Sequence, residues 1–184
     1  MIEVKKNLDG IEGLCLIKPK VFYDDRGYFF ESYNEKDFLD NGINIKFVQD
    51  NQSKSKKGVL RGLHFQKNYP QTKLVRCIRG EVVDVAVDLR KNSNTFGKWY
   101  SVLLSEDNKH QFLIPKGFAH GFLVLSDEAE FSYKCDDFYH PNDEGGIIYN
   151  DKQIGIEWPY VENLILSDKD KVLPRFEEVF TFWR

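Results

Sequence analysis

The sequence predicts an all-β protein built as a sandwich, a jelly roll or a barrel. Aromatic side chains, which favour strands, make up 15% of the 184 residues, and fifteen of them are phenylalanines. Short segments of about five to eight residues with alternating polarity recur along the chain. Turn residues such as Ser93, Asn94 and Thr95 separate several of these segments. Many short strands at regular spacing are typical of these three architectures.

The predicted strands lie between residues 14 and 135. They cover 14–21, 27–33, 45–50, 59–65, 73–78, 81–88, 98–104, 110–114, 121–125 and 130–135. The clearest pair is 73–78 with 81–88, because Arg79 and Gly80 supply a turn between them. In 81–88 the odd-numbered valines share one face, and the even-numbered residues, which include Asp84, share the other.

One short helix is predicted early in the chain. Asn34 can cap its first turn, Glu35 and Asp37 favour the positive end of its dipole, and Gly42 ends it. From Pro141 onward the chain is richer in turn residues. This last fifth is predicted to wrap over the β body and to contain one short helix, so the helices are few and peripheral.

Length, charge and cysteine content exclude several classes of protein. A chain of this length is the size of one domain, here residues 1–184. The net charge of −3 excludes a globally basic nucleic-acid-binding protein, and no apolar run is long enough to cross a membrane. The N-terminus lacks a secretory signal, and Cys15, Cys77 and Cys135 form no CxxC pair. The sequence therefore predicts a cytoplasmic protein.

Segment 59–65 carries polar residues in an otherwise apolar strand. Simple alternation places Arg61 and His64 on opposite faces. A bulge at Gly62 would bring both side chains to one pocket. Taken alone, His64 fits a hydrogen-bonded core histidine at least as well as a catalytic residue.

Four further polar residues have ordinary structural explanations when each is taken alone. Lys73 opens a strand, where lysines are mostly solvated edge residues. Asp84 lies in the middle of a strand and needs a partner if it is buried. Tyr133 fits a core aromatic residue whose hydroxyl is hydrogen-bonded. His120 is close to two glycines, as in a tight turn at the rim of a barrel.

Motifs for metal binding, phosphate binding and nucleophilic catalysis are missing. The four histidines are scattered without an HxH pair, and His110 and His140 lie in polar contexts that predict surface positions. A bound transition metal is therefore not expected. The GxxxxGK(S/T) and GxGxxG loops and the GxSxG elbow are also absent. Any acid–base chemistry must use histidine, lysine, tyrosine and carboxylate side chains.

Seven motifs, taken together and in order, identify a family. They are DRGYFFES at 25–32, VQDN at 48–51, LRGLHFQ at 60–66, KLVRC at 73–77, GEVVDVAVD at 80–88, PKGFAHGF at 115–122 and LSDKD at 166–170. From about residue 13 to residue 175 the chain resembles the dTDP-4-dehydrorhamnose 3,5-epimerases of the cupin superfamily. The resemblance implies a jelly roll, also called a double-stranded β-helix, and a cofactor-independent isomerase without a metal.

The implied reaction inverts C3 and C5 of dTDP-4-dehydro-6-deoxy-D-glucose and gives dTDP-4-dehydro-L-rhamnose, in dTDP-L-rhamnose biosynthesis. By resemblance, His64 is the general base that removes protons alpha to the C4 ketone. Asp170 is the expected orienting carboxylate of His64, with Asp84 as the alternative. Lys73 is expected to stabilise the enolate oxygen, and Tyr133 to donate a proton to the opposite face of the ring.

The resemblance also implies contacts to the nucleotide sugar. The family positions that match are Arg26, Glu31, Gln49, Asp50, Asn51, Arg61, His120, Glu144 and Lys169, with Tyr139 stacking on the base. Family members are homodimers in which an N-terminal strand pairs with the partner's sheet, so Arg26 and Glu31 are expected to serve the neighbouring site. The basic run 54–57 is predicted to be a solvated loop rather than an anion site.

Three alternative functions stay open at this point. A related epimerase would act on another 4-keto sugar or at C3 only, although Tyr133 and Tyr139 together favour thymidine-linked double epimerisation. A non-catalytic jelly roll would bind a nucleotide sugar without exchanging its protons. A metal-dependent cupin isomerase or oxygenase is disfavoured by the missing ligands.

Overall fold

A computed structural model describes residues 1–181 and consists mainly of β-strands. The strands are β1 (Ile2–Lys6), β2 (Cys15–Pro19), β3 (Phe22–Asp24), β4 (Gly27–Phe29), β5 (Gln49–Lys56), β6 (Leu60–Gln66), β7 (Lys73–Arg79), β8 (Glu81–Asp88), β9 (Trp99–Ser105), β10 (Gln111–Ile114), β11 (Phe118–Val124), β12 (Glu128–Cys135) and β13 (Glu144–Gly146). The α-helices are α1 (Glu35–Asp40), α2 (Asp168–Lys171) and α3 (Phe176–Thr181).

Two antiparallel sheets face each other. One sheet has the order β1-β2-β10-β7-β12-β5, and the other has the order β13-β6-β11-β8-β9. A separate hairpin of β3 and β4 projects from this body. Strands that follow one another in the chain repeatedly change sheets, which is the connectivity of a jelly roll. The predicted fold class is therefore confirmed.

The predicted pairing of 73–78 with 81–88 is wrong, although both strands exist. β7 pairs with β10 and β12, whereas β8 pairs with β9 and β11 in the other sheet. The turn between them carries the chain across the sandwich. Gly80 has a φ of 76° in this turn, and a Cβ at that position would lie 2.1 Å from the carbonyl oxygen of Glu128.

The predicted alternation in β8 is confirmed by the packing of the sheets. Val82 and Ala86 point into the main core between the two sheets. Val85 and Val87 belong to a second core on the outer face of the five-stranded sheet. The C-terminal segment covers that face with residues such as Phe176, as the sequence predicts, but within residues 1–181 it contains two short α-helices instead of one.

The outer face of the six-stranded sheet is covered by the segment around α1. The side chain of Asn34 accepts hydrogen bonds from the backbone N–H groups of Lys36 and Asp37, so the predicted helix cap is confirmed. Phe38 packs on this face together with residues of β2, β7 and β10. Ile45 and Phe47 also pack there and form no strand, which corrects the strand predicted at 45–50.

The strand in this region begins later and extends further than the sequence predicts. β5 pairs with β12 along its full length, from Gln49 opposite Cys135 to Lys56 opposite Glu128. The basic run is therefore largely edge strand and not a solvated loop. The predicted strand 27–33 is shortened to β4, which pairs with β3. Within residues 1–181 no helix is long and apolar enough to cross a membrane.

Candidate active site

A cavity of about 570 Å³ opens between the two sheets. Its walls come from β5, β7 and β12 on one side, from β6 and β11 on the other, and from residues 165–170 at one end. Six of the chemically important side chains line it: Arg61, His64, Lys73, His120, Tyr133 and Asp170. The stacked rings of Phe122 and Phe131, with centroids 4.2 Å apart, form an apolar part of the wall.

A bulge in β6 brings Arg61 and His64 to this one cavity. His64 pairs with His120 and Arg61 pairs with Phe122, so β6 has one more residue than β11 between these pairs. Gly62 has a φ of 121°, and a Cβ there would lie 2.6 Å from the Cα of Gly121. The predicted bulge at Gly62 is therefore present, and the glycine is required by the close approach of β11.

His64 and Asp170 form a hydrogen-bonded pair at the cavity wall. Nε2 of His64 lies 2.6 Å from Oδ1 of Asp170, and the histidine side chain is 33% exposed. Asp170 lies in α2, where its backbone N–H donates to Oγ of the capping residue Ser167 at 3.1 Å. Burial alone would raise the pKa of Asp170, but the contacts with His64, Ser167 and the backbone of Gly62 hold it below the ordinary value.

Asp84 was the alternative carboxylate for orienting His64, but it pairs with His120 instead. Both of its carboxylate oxygens lie 2.9–3.0 Å from Nε2 of His120, and both side chains are buried. Burial raises the pKa of Asp84 and lowers that of His120. Two carboxylate–imidazole pairs thus lie at the cavity, where His120 but not Asp84 lines the wall, and His64 and Asp170 form the more accessible pair.

Lys73 and Tyr133 lie on neighbouring strands of the six-stranded sheet. Nζ of Lys73 is 6.0 Å from the centre of the Tyr133 ring. Lys73 is half-buried in the cavity and is not a solvated edge lysine, and burial lowers the pKa of its ammonium group. Burial raises the pKa of the Tyr133 hydroxyl, which therefore stays protonated at neutral pH.

A second group of residues lies next to the cavity. Nζ of Lys169 forms an ion pair with Glu144, and burial together with the same carboxylate raises the pKa of the Tyr139 hydroxyl. Gln49 accepts a hydrogen bond from the backbone N–H of Tyr139 at 3.0 Å and donates one to Asn51 at 3.0 Å. Of these five residues, Lys169 and Asn51 line the cavity itself.

Three other predicted substrate-binding residues lie away from both the cavity and this second group within the chain. Arg26 lies at the tip of the β3–β4 hairpin and pairs with Asp24 at 2.5 Å. Glu31 lies 3.6 Å from the N-terminal amino group. Asp50 leaves β5 on the face opposite to Gln49 and Asn51 and pairs with Lys134 at 2.8 Å. The alternation of β5 explains the position of Asp50, because consecutive strand residues point to opposite faces.

One residue that positions Asp170 was not identified from the sequence. Ser167 was missed, although a serine three residues before Asp170 is a capping pattern that predicts a helix start.

His110 and His140 were predicted at the surface, but both are half-buried, and the His140 ring stacks on Tyr69. Among residues 1–181 no group of three histidine, cysteine or acidic side chains could hold a metal ion.

Comparisons with known proteins find relatives along most of the chain. A family model described as dTDP-4-dehydrorhamnose 3,5-epimerase matches residues 9–178. The dTDP-4-dehydrorhamnose 3,5-epimerase of Escherichia coli is 57% identical over 171 residues, covering 92% of each chain.

Two crystal structures are also similar along almost the whole chain. The dTDP-4-dehydrorhamnose 3,5-epimerase of Elizabethkingia anophelis superposes with a TM-score of 0.90 at 53% identity, covering 96% of this chain and 97% of its own. The dTDP-6-deoxy-D-glucose-3,5-epimerase of Legionella pneumophila, solved with dTDP-4-keto-L-rhamnose, has a TM-score of 0.89 at 49% identity and coverages of 96% and 99%.

Proposed function

The chain belongs to the dTDP-4-dehydrorhamnose 3,5-epimerase family, and we propose that it inverts C3 and C5 of dTDP-4-dehydro-6-deoxy-D-glucose. The observation that carries this proposal is the His64–Asp170 pair, which faces a cavity that also contains Lys73 and Tyr133. This set provides a base, a cation and an acid, as proton transfer alpha to a ketone requires.

His64 is the base for both carbons. In this proposal Nε2–H of His64 donates a hydrogen bond to the carboxylate of Asp170, which leaves Nδ1 unprotonated and able to remove a proton from C3 or C5. Both carbons adjoin the C4 ketone, so each deprotonation gives an enolate with its charge on the same oxygen. When His64 becomes positively charged, the buried carboxylate of Asp170 stabilises the imidazolium.

Lys73 acts on the C4 oxygen of the sugar, and Tyr133 acts on the carbon that has lost its proton. The ammonium group of Lys73 stabilises the enolate oxygen in a cavity partly shielded from water. Tyr133 returns a proton to the face of the ring opposite His64, and its raised pKa keeps that proton available at neutral pH. Protonation from the opposite face is what inverts the configuration.

The nucleotide half of the substrate occupies the mouth of the cavity in this proposal. Arg61 is exposed there, with Nε donating to Oγ of Ser55 at 3.1 Å, and its guanidinium group suits a diphosphate. Tyr139, a residue that is 50% exposed, stacks on the thymine. Five further residues provide polar contacts: Gln49, Asn51, His120, Glu144 and Lys169.

We also propose a homodimer that works in the cytoplasm. The β3–β4 hairpin exposes four large aromatic side chains, those of Phe22, Tyr23, Tyr28 and Phe29. This apolar surface supports a second copy as its partner, with Arg26 and Glu31 reaching the cavity of that copy. The three cysteines are all free, which suits a reducing compartment.

The test is to incubate the protein with dTDP-4-dehydro-6-deoxy-D-glucose and to determine the product's configuration by NMR coupling constants. Inversion at both C3 and C5 is expected. Inversion at C3 alone would replace the proposal with a C3 epimerase. Unchanged substrate that nevertheless binds saturably would replace it with a nucleotide-sugar-binding protein.

A further inference from the structure

We propose that Gln66 is a positioning residue that holds Tyr139 where its ring can stack on the nucleotide base. This inference rests on the proposed function, in which Tyr139 makes that stacking contact. Gln66 is the last residue of β6, two positions after the base His64. It links the strand that carries the base to the loop that carries the nucleotide contact.

The amide of Gln66 binds the backbone on both sides of Tyr139. Its Nε2 donates to the carbonyl oxygen of Phe138 at 3.2 Å, and its Oε1 accepts from the backbone N–H of His140 at 2.6 Å. The side chain is buried, so water does not compete for these bonds. One side chain therefore fixes the direction in which the backbone presents residue 139.

Tyr139 itself needs this support because only half of the residue is buried. The residue is 50% exposed, and its hydroxyl lies near the carboxylate of Glu144, which is itself paired with Lys169. The backbone N–H of Tyr139 donates to Gln49, which completes a run of three consecutive residues held by two glutamine amides. The ring is thereby oriented before a ligand arrives, which lowers the entropy cost of binding.

Further hydrogen bonds and a ring contact hold Gln66 and the segments around it in this arrangement. Nε2 of Gln66 also donates to the carbonyl oxygen of Tyr69 at 2.6 Å. The buried carboxylate of Asp143 accepts hydrogen bonds from the backbone N–H groups of Asn68 and Tyr69 at 2.9 Å. The Tyr69 ring stacks on His140 with centroids 4.1 Å apart. Segments 67–69 and 138–143 are thus tied together around the amide.

Only an amide of this length satisfies all three backbone groups, because it has donors and an acceptor. Methionine has a similar length but leaves two carbonyl groups and one N–H group without the partner they have in the folded protein. Glutamate keeps the acceptor for His140 but loses both donated bonds. Gln66→Met is therefore the sharper variant, and Gln66→Glu is a second one in case Gln66→Met does not fold.

The experiment measures binding of dTDP and of pyrophosphate to wild type and variants by titration calorimetry, with steady-state kinetics in parallel. We expect Gln66→Met to weaken dTDP binding about tenfold and to raise KM similarly, with kcat within about twofold. Pyrophosphate affinity should be unchanged, because that ligand has no base to stack. A general loss of structure would weaken both ligands.

Two controls separate positioning from stability. Gln111→Met removes another buried amide, which donates to the carbonyl oxygen of Ser32 at 2.8 Å, and should leave dTDP affinity unchanged. In a Tyr139→Ala background, Gln66→Met should cause no further loss of dTDP affinity. Additive losses, equal losses for both ligands, or wild-type affinity in Gln66→Met would each overturn the inference. Wild-type protein that binds no dTDP would overturn the proposed function itself.

Discussion

His64 and Asp170 are 106 positions apart in the sequence, and the fold places Nε2 of the first 2.6 Å from Oδ1 of the second. His64 is fixed by the bulge in β6, and Asp170 is fixed by a four-residue helix that Ser167 caps. Neither element alone brings an imidazole and a carboxylate together. Their meeting at the cavity wall creates an imidazole with one nitrogen held and the other free.

Asp170→Asn tests whether the carboxylate supports proton abstraction. An amide is neutral and cannot stabilise the imidazolium that forms on His64, so kcat should fall about 100-fold with little change in KM. The matched control is Asp168→Asn, which removes an exposed carboxylate that pairs with Lys171 in the same helix. That control should keep the wild-type rate. Equal rates for the two variants would remove Asp170 from the mechanism.

Tyr133→Phe should separate proton removal from inversion. Phenylalanine has no proton to donate, but His64 can still remove a substrate proton and return one to the same face. We therefore expect the epimerised product to form at least about 100-fold more slowly while solvent exchange continues. Mass spectrometry and NMR of the recovered sugar measure both rates. Tyr100→Phe, at a half-buried position in the main core, is the control and should change neither. Undiminished inversion in Tyr133→Phe would show that another group is the acid.

Lys73 should determine the alkaline limit of the reaction. Burial lowers the pKa of its ammonium group, so the positive charge is lost at a lower pH than in an exposed lysine. Activity should therefore fall as the pH rises through that lowered value. Burial raises the pKa of Tyr133, so its proton is lost at a higher pH than that of an exposed tyrosine. Lys73→Met should be about 100-fold slower than wild type at pH 7 and should lack this alkaline limb.

Lys134→Met provides the comparison for this profile. Lys134 lies on the same sheet, where its ammonium group pairs with Asp50 outside the cavity. Its loss should leave the pH profile unchanged. An alkaline limb that persists in Lys73→Met would assign the limit to another group.

Asp88 should make a large, pH-dependent contribution to stability. Burial opposes its ionisation, but hydrogen bonds from Arg90, Ser93 and Thr95 lower its pKa from 3.8 to about 2. A lowered pKa stabilises the folded state above the unfolded value of 3.8, and this stabilisation is lost as the pH falls through about 2. The difference of nearly two pH units corresponds to about 2 kcal/mol.

Urea unfolding of wild type and Asp88→Asn measures this contribution. The variant should be about 2 kcal/mol less stable at pH 7, and the difference should shrink as the pH approaches 2. Asp107→Asn, in an exposed turn, should be neutral throughout. A difference in unfolding free energy that does not change with pH would contradict the assigned ionisation.

Much of the fold could be predicted because the central strands carry a clear alternating pattern. β8 was located at its observed bounds, and Gly62 indicated the bulge that the structure contains. The membership of strands in sheets could not be predicted in the same way. The Arg79–Gly80 turn is compatible both with a hairpin and with a crossing between sheets, and only the remote partners of β7 and β8 decide between them.

In the site, too, features that depend on contacts between distant parts of the sequence could not be predicted from local patterns. β5 is rich in polar residues, so no apolar pattern marked it, and its conformation depends on pairing with β12. The partner of His64 was identified through family resemblance, since nothing near residue 64 indicates a carboxylate at residue 170. The pairing of Asp84 with His120 likewise depends on two adjacent strands that are distant in sequence.

The most direct test of the account is deuterium uptake from heavy water into dTDP-4-dehydro-6-deoxy-D-glucose, comparing wild type with His64→Ala. Wild-type enzyme should incorporate deuterium at both C3 and C5. His64→Ala should remain folded by circular dichroism, because the side chain it truncates is partly exposed at the cavity wall, and should exchange at least about 1,000-fold more slowly at both carbons. Wild-type protein that leaves both positions unlabelled, or a His64→Ala variant that labels them at the wild-type rate, would contradict the account.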